Sequence, residues 1–171
     1  GAGIPIHEPM GRMVCDMGGG TTDVAVISLG GIVASTSVKC AGNRLDKAIV
    51  DYVKKQHNLA IGDKTAEEIK IKIGAAVTMT QELTMPVKGR DLLSGLPRTV
   101  DLATNEIVQA MSRELREMTQ AIRKVLQDTP PELASDIIDN GIILTGGTSQ
   151  LRQMPELVYR RTGVVAKLGT D

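Results

Sequence analysis

Asp16-Met17-Gly18-Gly19-Gly20-Thr21-Thr22-Asp23 is the stretch on which the fold turns. Met13, Val14 and Cys15 before it and Val24 to Ile27 after it read as two buried strands, so the three glycines sit in a strand-to-strand turn. That context excludes two commoner glycine loops. A Walker loop needs a Lys followed by Ser or Thr at the start of a helix, and a dinucleotide fingerprint needs a helix after its glycines; neither follows Gly20. What remains is a hairpin suited to phosphate. Gly18, Gly19 and Gly20 can turn tightly and aim backbone N–H groups at phosphate oxygens with no Cβ in the way, while Thr21 and Thr22 add hydroxyl donors. Asp16 would repel phosphate directly but suits a hydrated magnesium ion, which keeps several waters when bound to protein. Taken alone, the motif serves equally as a plain turn whose Asp and Thr side chains satisfy its backbone.

Composition narrows the partners. The 171 residues suffice for a full core, and a hydrophobic content of 42% argues against disorder. With no Phe or Trp and two Tyr the core is aliphatic, which argues against stacking on nucleic-acid bases. Lys plus Arg, 20, balance Asp plus Glu, 20, without a basic run, so neither a nucleic acid nor an anionic membrane is expected as a partner. Cys15 and Cys40 lie in or near apolar strands without metal or CxxC spacing and read as reduced structural thiols, which fits a cytoplasmic setting. No apolar run is long enough to span a bilayer and no signal peptide opens the chain; the start at Gly1 reads as a cut in a longer protein. His7 and His57 sit away from the motifs and receive no role.

Periodicity supplies the remaining elements. Strands are expected over Arg12 to Asp16, Asp23 to Leu29 and, after a Gly30-Gly31 turn, Ile32 to Lys39. A helix capped by Asn43 runs to Asn58, and a second, opened by a Thr65/Glu68 capping box, carries Ala66, Ile69, Ile73 and Ala76. Strands and turns between Thr78 and Leu102 suggest an inserted α/β subdomain. The longest helix spans about Thr104 to Gln127, closed by Pro130 and Pro131, and its apolar stripe reads as a core face. A short helix from Pro131 to Ile138 follows. The strand Ile142 to Thr145 then runs into Gly146-Gly147, with Thr148 and Ser149 able to cap a helix that is interrupted at Pro155 and stops at Gly163 before a last strand, Val164 to Leu168. Strand, Gly146-Gly147, helix is a second place where backbone can approach a ligand. Alone it serves packing just as well.

The order DxGGGTT hairpin, helix with Glu67 and Lys70, and Leu144-Thr145-Gly146-Gly147 loop is that of the ATPase superfamily of actin, the seventy-kilodalton heat-shock chaperones and sugar kinases. Within it the chain resembles the second half of the MreB family of bacterial actin-like cell-shape proteins. The stretches that carry this are Asp16 to Asp23, Ala41-Gly42-Asn43-Arg44-Leu45-Asp46, Thr65-Ala66-Glu67-Glu68-Ile69-Lys70, Gly89-Arg90-Asp91, Gly95-Leu96-Pro97-Arg98, Pro130-Pro131-Glu132-Leu133-Ala134 and the Leu144 loop. The Gly-Leu-Pro-Arg and Pro-Pro-Glu-Leu-Ala stretches are not nucleotide motifs and separate this family from chaperones and kinases.

The resemblance implies an α/β, RNase-H-like fold: a large subdomain of residues 1–43 and 103–171, carrying a smaller α/β subdomain of residues 44–102. It implies ATP and Mg2+ as cofactors. Gly18, Gly19, Gly20, Thr21 and Thr22 would hold the β and γ phosphates and Asp16 the magnesium. Glu67 and Lys70 would meet ribose and purine, and Gly146, Gly147, Thr148 and Ser149 would pack near the adenosine and α phosphate. Without the resemblance, Glu67 and Lys70 read as an ordinary surface pair. Two departures stand out. Thr148, Ser149 and Gln150 occupy positions where the family has a third glycine and an apolar run, and the first half of the family pattern, with its water-positioning glutamate, is absent. No catalytic residue is therefore expected in this segment. The implied partners are further copies of the chain, head to tail in a filament, and a RodZ-type membrane anchor; membrane contact itself is expected through the other half, at the inner face of the membrane. A chaperone or kinase of the same superfamily, or a non-catalytic interaction module, are the alternatives.

Overall fold

A computed structural model describes residues 10–169. The expectations placed at Gly1 and His7 lie outside them. β1 (Arg12–Met17), β2 (Thr22–Ser28) and β3 (Gly31–Val38) form the antiparallel start. The β2–β3 turn is Leu29-Gly30, one residue earlier than Gly30-Gly31. Both residues have positive φ, 52° and 77°, as a tight primed hairpin turn demands. β7 (Ile142–Thr145) then inserts beside β1 in parallel, and β8 (Ala166–Leu168) beside β7, giving the sheet order β3-β2-β1-β7-β8. β1 is thus central, which explains why Met13, Cys15 and Met17 are all fully buried.

The connecting segments build a second layer. α1 (Gly42–His57) follows β3, then β4 (Leu59–Ala60), α2 (Asp63–Ile73), and the β5 (Thr84–Asp91) and β6 (Pro97–Ala103) hairpin. β4, β5 and β6 form a separate antiparallel sheet of three strands. α3 (Thr104–Asp128) lies against β2 and β3 and also packs on α1; α4 (Pro131–Asn140) packs on β1, and α5 (Met154–Thr162) on α3 and β8. Leu45, Ile49 and Val53 of α1, Ile69 and Ile73 of α2 and Met111, Met118 and Ile122 of α3 join the strand residues in one apolar cluster. Methionine, flexible and unbranched, fills the irregular space that aromatic rings would otherwise take.

Helix starts depart from expectation where the tertiary structure supplies the partners. α1 begins at Gly42, with Ala41 as the capping position and no side-chain cap; Asn43 lies inside the helix. α2 begins at Asp63 after Gly62, so Thr65 and Glu68 form no capping box. Asp63, in the first turn, instead complements the helix dipole. At α3 the Glu106 carboxylate accepts from the Ala103 N–H at 3.2 Å. Helix α1 ends at Asn58 in the left-handed conformation, and Pro131 starts α4 at a position whose N–H would have no partner anyway. The boundaries expected at 43/44 and 102/103 fall inside α1 and β6.

Cys15 and Cys40 are free thiols, both buried. Burial pushes the Cys15 thiol up to about 12 and the Cys40 thiol to about 11. The unfolded chain ionises them near 9.0. The folded state therefore holds protons that the unfolded state gives up, and the stability they contribute is fully present below pH 9 and lost as pH rises toward 12. Urea unfolding above pH 9 should show stability falling by about 1.4 kcal/mol per pH unit on account of Cys15, and Cys15→Ala should remove that part of the slope. In the core, Ile122→Ala should cost about 3 kcal/mol, whereas Ile138→Ala, at a position 63% exposed, should stay within about 0.5 kcal/mol.

Candidate functional site

Two glycine loops leave the sheet side by side. β1 and β7 are parallel with Asp16 opposite Thr145, so the Met17-Gly18 and Gly146-Gly147 turns begin at the same level of the same edge. The carboxyl ends of parallel strands are where open α/β sheets hold ligands. Gly146 fits there only as glycine: its φ is +87°, and a Cβ would sit 2.3 Å from the Met17 carbonyl oxygen and 2.6 Å from Asp16 Oδ1. Thr145 Oγ1 donates to Asp16 Oδ1 at 3.3 Å.

The first turn of α1 is tied into the same place. Gly42 N–H donates to the Gly18 carbonyl at 3.1 Å and Asn43 N–H to the Gly19 carbonyl at 2.8 Å. Thr148 Oγ1 donates to the same Gly18 carbonyl at 2.7 Å, passing so close to Gly42 that a Cβ there would lie 2.7 Å from it. The hairpin, α1 and the second loop are therefore fixed by three donors on two carbonyls. Gly18 N–H closes its own turn on the Thr21 carbonyl, while the N–H groups of Gly19 and Gly20 meet no acceptor among the described residues.

A cleft of about 550 Å³ opens above these contacts. Of the expected site residues Gly18, Gly19, Glu67, Lys70, Gly147 and Thr148 line it, joined by Gly42, Asn43, Asp46, Ile71, Gln150, Leu151 and Arg152. Lys70 Nζ lies 2.8 Å from Asp46 Oδ1 and 3.4 Å from the Gly42 carbonyl, both side chains mostly buried. Burial raises the Asp46 carboxyl above its usual range, with Lys70 pulling the other way. Arg152 Nη1 donates to the Gly74 carbonyl at 2.9 Å and its own carbonyl accepts from Ala76 N–H, which ties the end of α2 to the second loop.

Other expected residues stand elsewhere. The Thr22 hydroxyl is fully buried and donates to the Cys40 carbonyl at 2.7 Å, so it joins β2 to the chain before α1 and is not part of the cleft lining. Ser149 likewise turns inward, donating to the Gly146 carbonyl at 2.6 Å, and shapes the loop. Gly20 and Thr21 lie at the hairpin tip outside the cleft lining, Thr21 Oγ1 donating to Asp23 Oδ2 at 3.0 Å. Asp16 is exposed and stands opposite Asp23 in the β1–β2 register, so two carboxylates share one face. Sequence reasoning gave Asp23, Asp46 and Arg152 no role. Asp46 carried a signal, falling one helical turn after Gly42-Asn43 on a helix otherwise apolar on its buried side. Arg152 carried none.

The protein-family model described as MreB/Mbl protein matches residues 1–171. The chain is similar to the cell shape-determining protein Mbl of Bacillus subtilis (strain 168), 46% identical over 158 residues, which are 92% of this chain and 47% of that protein. To the cell shape-determining protein MreB of Escherichia coli (strain K12) it is 44% identical over 171 residues, 100% of this chain and 49% of that protein. The chain thus spans about half the length of the curated relatives it matches. Among solved structures, MreB5 of Spiroplasma citri bound to ADP superposes with a TM-score of 0.95 at 40% identity, over 99% of this chain and 52% of that one. The MamK double helical filament shares the fold, with a TM-score of 0.77 at 21% identity over 94% of this chain and 50% of that one.

Gly146→Ala should destabilise the protein by about 2 kcal/mol or more in urea unfolding, through its positive φ and the contact with Met17. Gly147→Ala, whose Cβ would meet nothing within 4 Å, should change stability by less than about 1 kcal/mol.

Proposed function

The chain belongs to the MreB/Mbl family, and from that premise we propose that it forms one wall of the ATP cleft of a filament-forming, actin-like protein that determines cell shape. The observation that carries this reading is the meeting of both glycine loops, α1 and α2 around one cleft, in a fold whose 40% identical relative was solved with ADP and with AMPPNP. Gly19, in the cleft lining, presents its unpartnered N–H to the phosphates, with the N–H of Gly20 next to it at the hairpin tip. Lys70, held by Asp46, and Glu67 face ribose and base, and Gly147 and Thr148 close the wall beneath. The proposed subdomains divide the five-stranded from the three-stranded sheet, so α2 brings Glu67 and Lys70 to the cleft from the smaller one.

The carboxylates of Asp16 and Asp23, paired across β1 and β2 next to the cleft, are of a kind that suits Mg2+. Among the described residues no group of three or more metal-binding side chains exists, so a dedicated protein cage is not the arrangement. A phosphate-bound, hydrated Mg2+ needs only one or two carboxylates, and Asp16 with Asp23 beside it supplies them. Bound there, the ion would neutralise phosphate charge. Hydrolysis also requires an in-line water and charge stabilisation from the opposite wall, so this segment alone should bind weakly and turn over negligibly. Filament growth head to tail is a heterologous contact that does not close on itself. A RodZ-type anchor and a place at the inner face of the membrane are carried by the family resemblance. No helix among the described residues is long and apolar enough to cross a membrane.

Electron microscopy of the complete protein tests the reading. Filaments should form with Mg-ATP, be absent without it, and be lost in Asp16→Ala; a monodisperse protein that still consumes ATP would transfer the chain to the chaperone or kinase class. Lys70→Ala should weaken ADP binding about tenfold or more, measured by calorimetry.

A further inference from the structure

Every sheet edge is a row of unpaired backbone groups that invites another strand, and natural proteins blunt such edges by shortness, charge or proline. Among the described residues the two sheets have four edges. β8 has three residues including Lys167, β4 has two, and β6 carries Pro97, Arg98 and Asp101. β3 is different: eight residues, Gly31-Ile32-Val33-Ala34-Ser35-Thr36-Ser37-Val38, with no charge and no proline. It is long and has neither charge nor proline; its one irregularity is a bulge at Val33, where Val26 and Ile27 of β2 pair with Ala34 and Ile32, and Ala34–Val38 beyond it is regular.

Beside this edge runs a groove of about 680 Å³ between β3 and α3. Its strand side is Thr36, Ser37 and Val38; its helix side bears Arg113, Arg116 and Lys124 against a single acidic side chain, Glu117. Glu117 is partly answered by Arg44, 3.7 Å away. Arg116, Lys124 and the 87% exposed Arg113 side chain reach solvent. Arg161 of α5 donates to Thr119 and Gln120 of α3 at 3.2 and 3.3 Å, and its burial, together with the charges of Arg123 and Arg116, holds its ionisation below the ordinary range. Over its length α3 balances its charges, and Arg113 lies 3.8 Å from Glu114, but the part of α3 that lines this groove is locally basic, with Arg116 and Lys124 beside the strand edge.

We propose that β3 receives an extended acidic peptide segment of a partner protein as an added strand, its backbone pairing with Gly31–Val38 and its carboxylates meeting Arg113, Arg116 and Lys124. Strand addition supplies main-chain hydrogen bonds, and the flanking helix supplies selectivity. The basic side chains that line the groove favour an acidic strand over a second copy of β3, which carries no charge.

The test uses the complete protein and a labelled probe of about eight residues, acetyl-(Glu-Val)4-amide, the length of β3. Anisotropy should show saturable binding, and amide hydrogen exchange should show new protection of alternate residues in 31–38. Arg116→Glu with Lys124→Glu should weaken the probe at least about tenfold, and the same variant should gain binding to acetyl-(Lys-Val)4-amide, which separates lost charge from lost fold. Absence of binding overturns the proposal, as does binding with no protection of β3. So does full protection of residues 31–38 in the protein alone, which would mean that the rest of the chain covers the edge. Phosphatidylglycerol vesicles captured through Arg116 and Lys124 with β3 unprotected would assign the groove to a lipid surface instead.

Discussion

The parallel pairing of β1 with β7 is the constraint on which the rest depends. It joins Met13–Asp16 to Ile142–Thr145 across more than a hundred residues of intervening chain, and it alone brings the two glycine loops to one edge. Such a non-local contact closes a long loop, whose entropy the buried Met13, Cys15, Ile142 and Leu144 must offset. Had β7 paired elsewhere, Gly146 would have no reason to be glycine, because its crowded neighbours are Met17 and Asp16.

A second economy lies in the backbone groups. The first turn of a helix has N–H groups without intrahelical partners, and those of Gly42 and Asn43 go to the carbonyls of Gly18 and Gly19. The α1 N-terminus is therefore occupied in positioning the hairpin and is not itself aimed at an anion. With the Gly18 and Gly19 carbonyls so held, the N–H groups of Gly19 and Gly20 remain without an acceptor among the described residues. The same arrangement explains Thr148. Its hydroxyl provides a further donor to the Gly18 carbonyl and so strengthens the loop's attachment.

Elements whose signal is local were legible in advance. β7 was read with its observed ends, α3 within a residue, and the β1–β2–β3 meander in its true order, because period-two and period-3.6 patterns are properties of adjacent residues. Caps were less legible. Asn43 and the Thr65/Glu68 pair have suitable chemistry, yet neither caps its helix: α1 starts at Gly42 against the hairpin carbonyls, and α2 starts two residues before Thr65. Among site residues Gly18, Gly19, Glu67, Lys70, Gly147 and Thr148 reached the expected cleft, and Thr22 and Ser149 did not, because a hydroxyl beside an unpaired carbonyl serves the fold first.

The sequence by itself determined the family, the elements and the two glycine loops that end β1 and β7, since glycine spacing and apolar periodicity are written along the chain. Only the tertiary structure decided which hydroxyls face the cleft, that Asp46 holds Lys70, and that the β3 edge lies beside Arg116 and Lys124 of α3. Those facts are set by which strand lies next to which, and strand neighbours are chosen by burial across the whole chain and not by any residue's immediate neighbours.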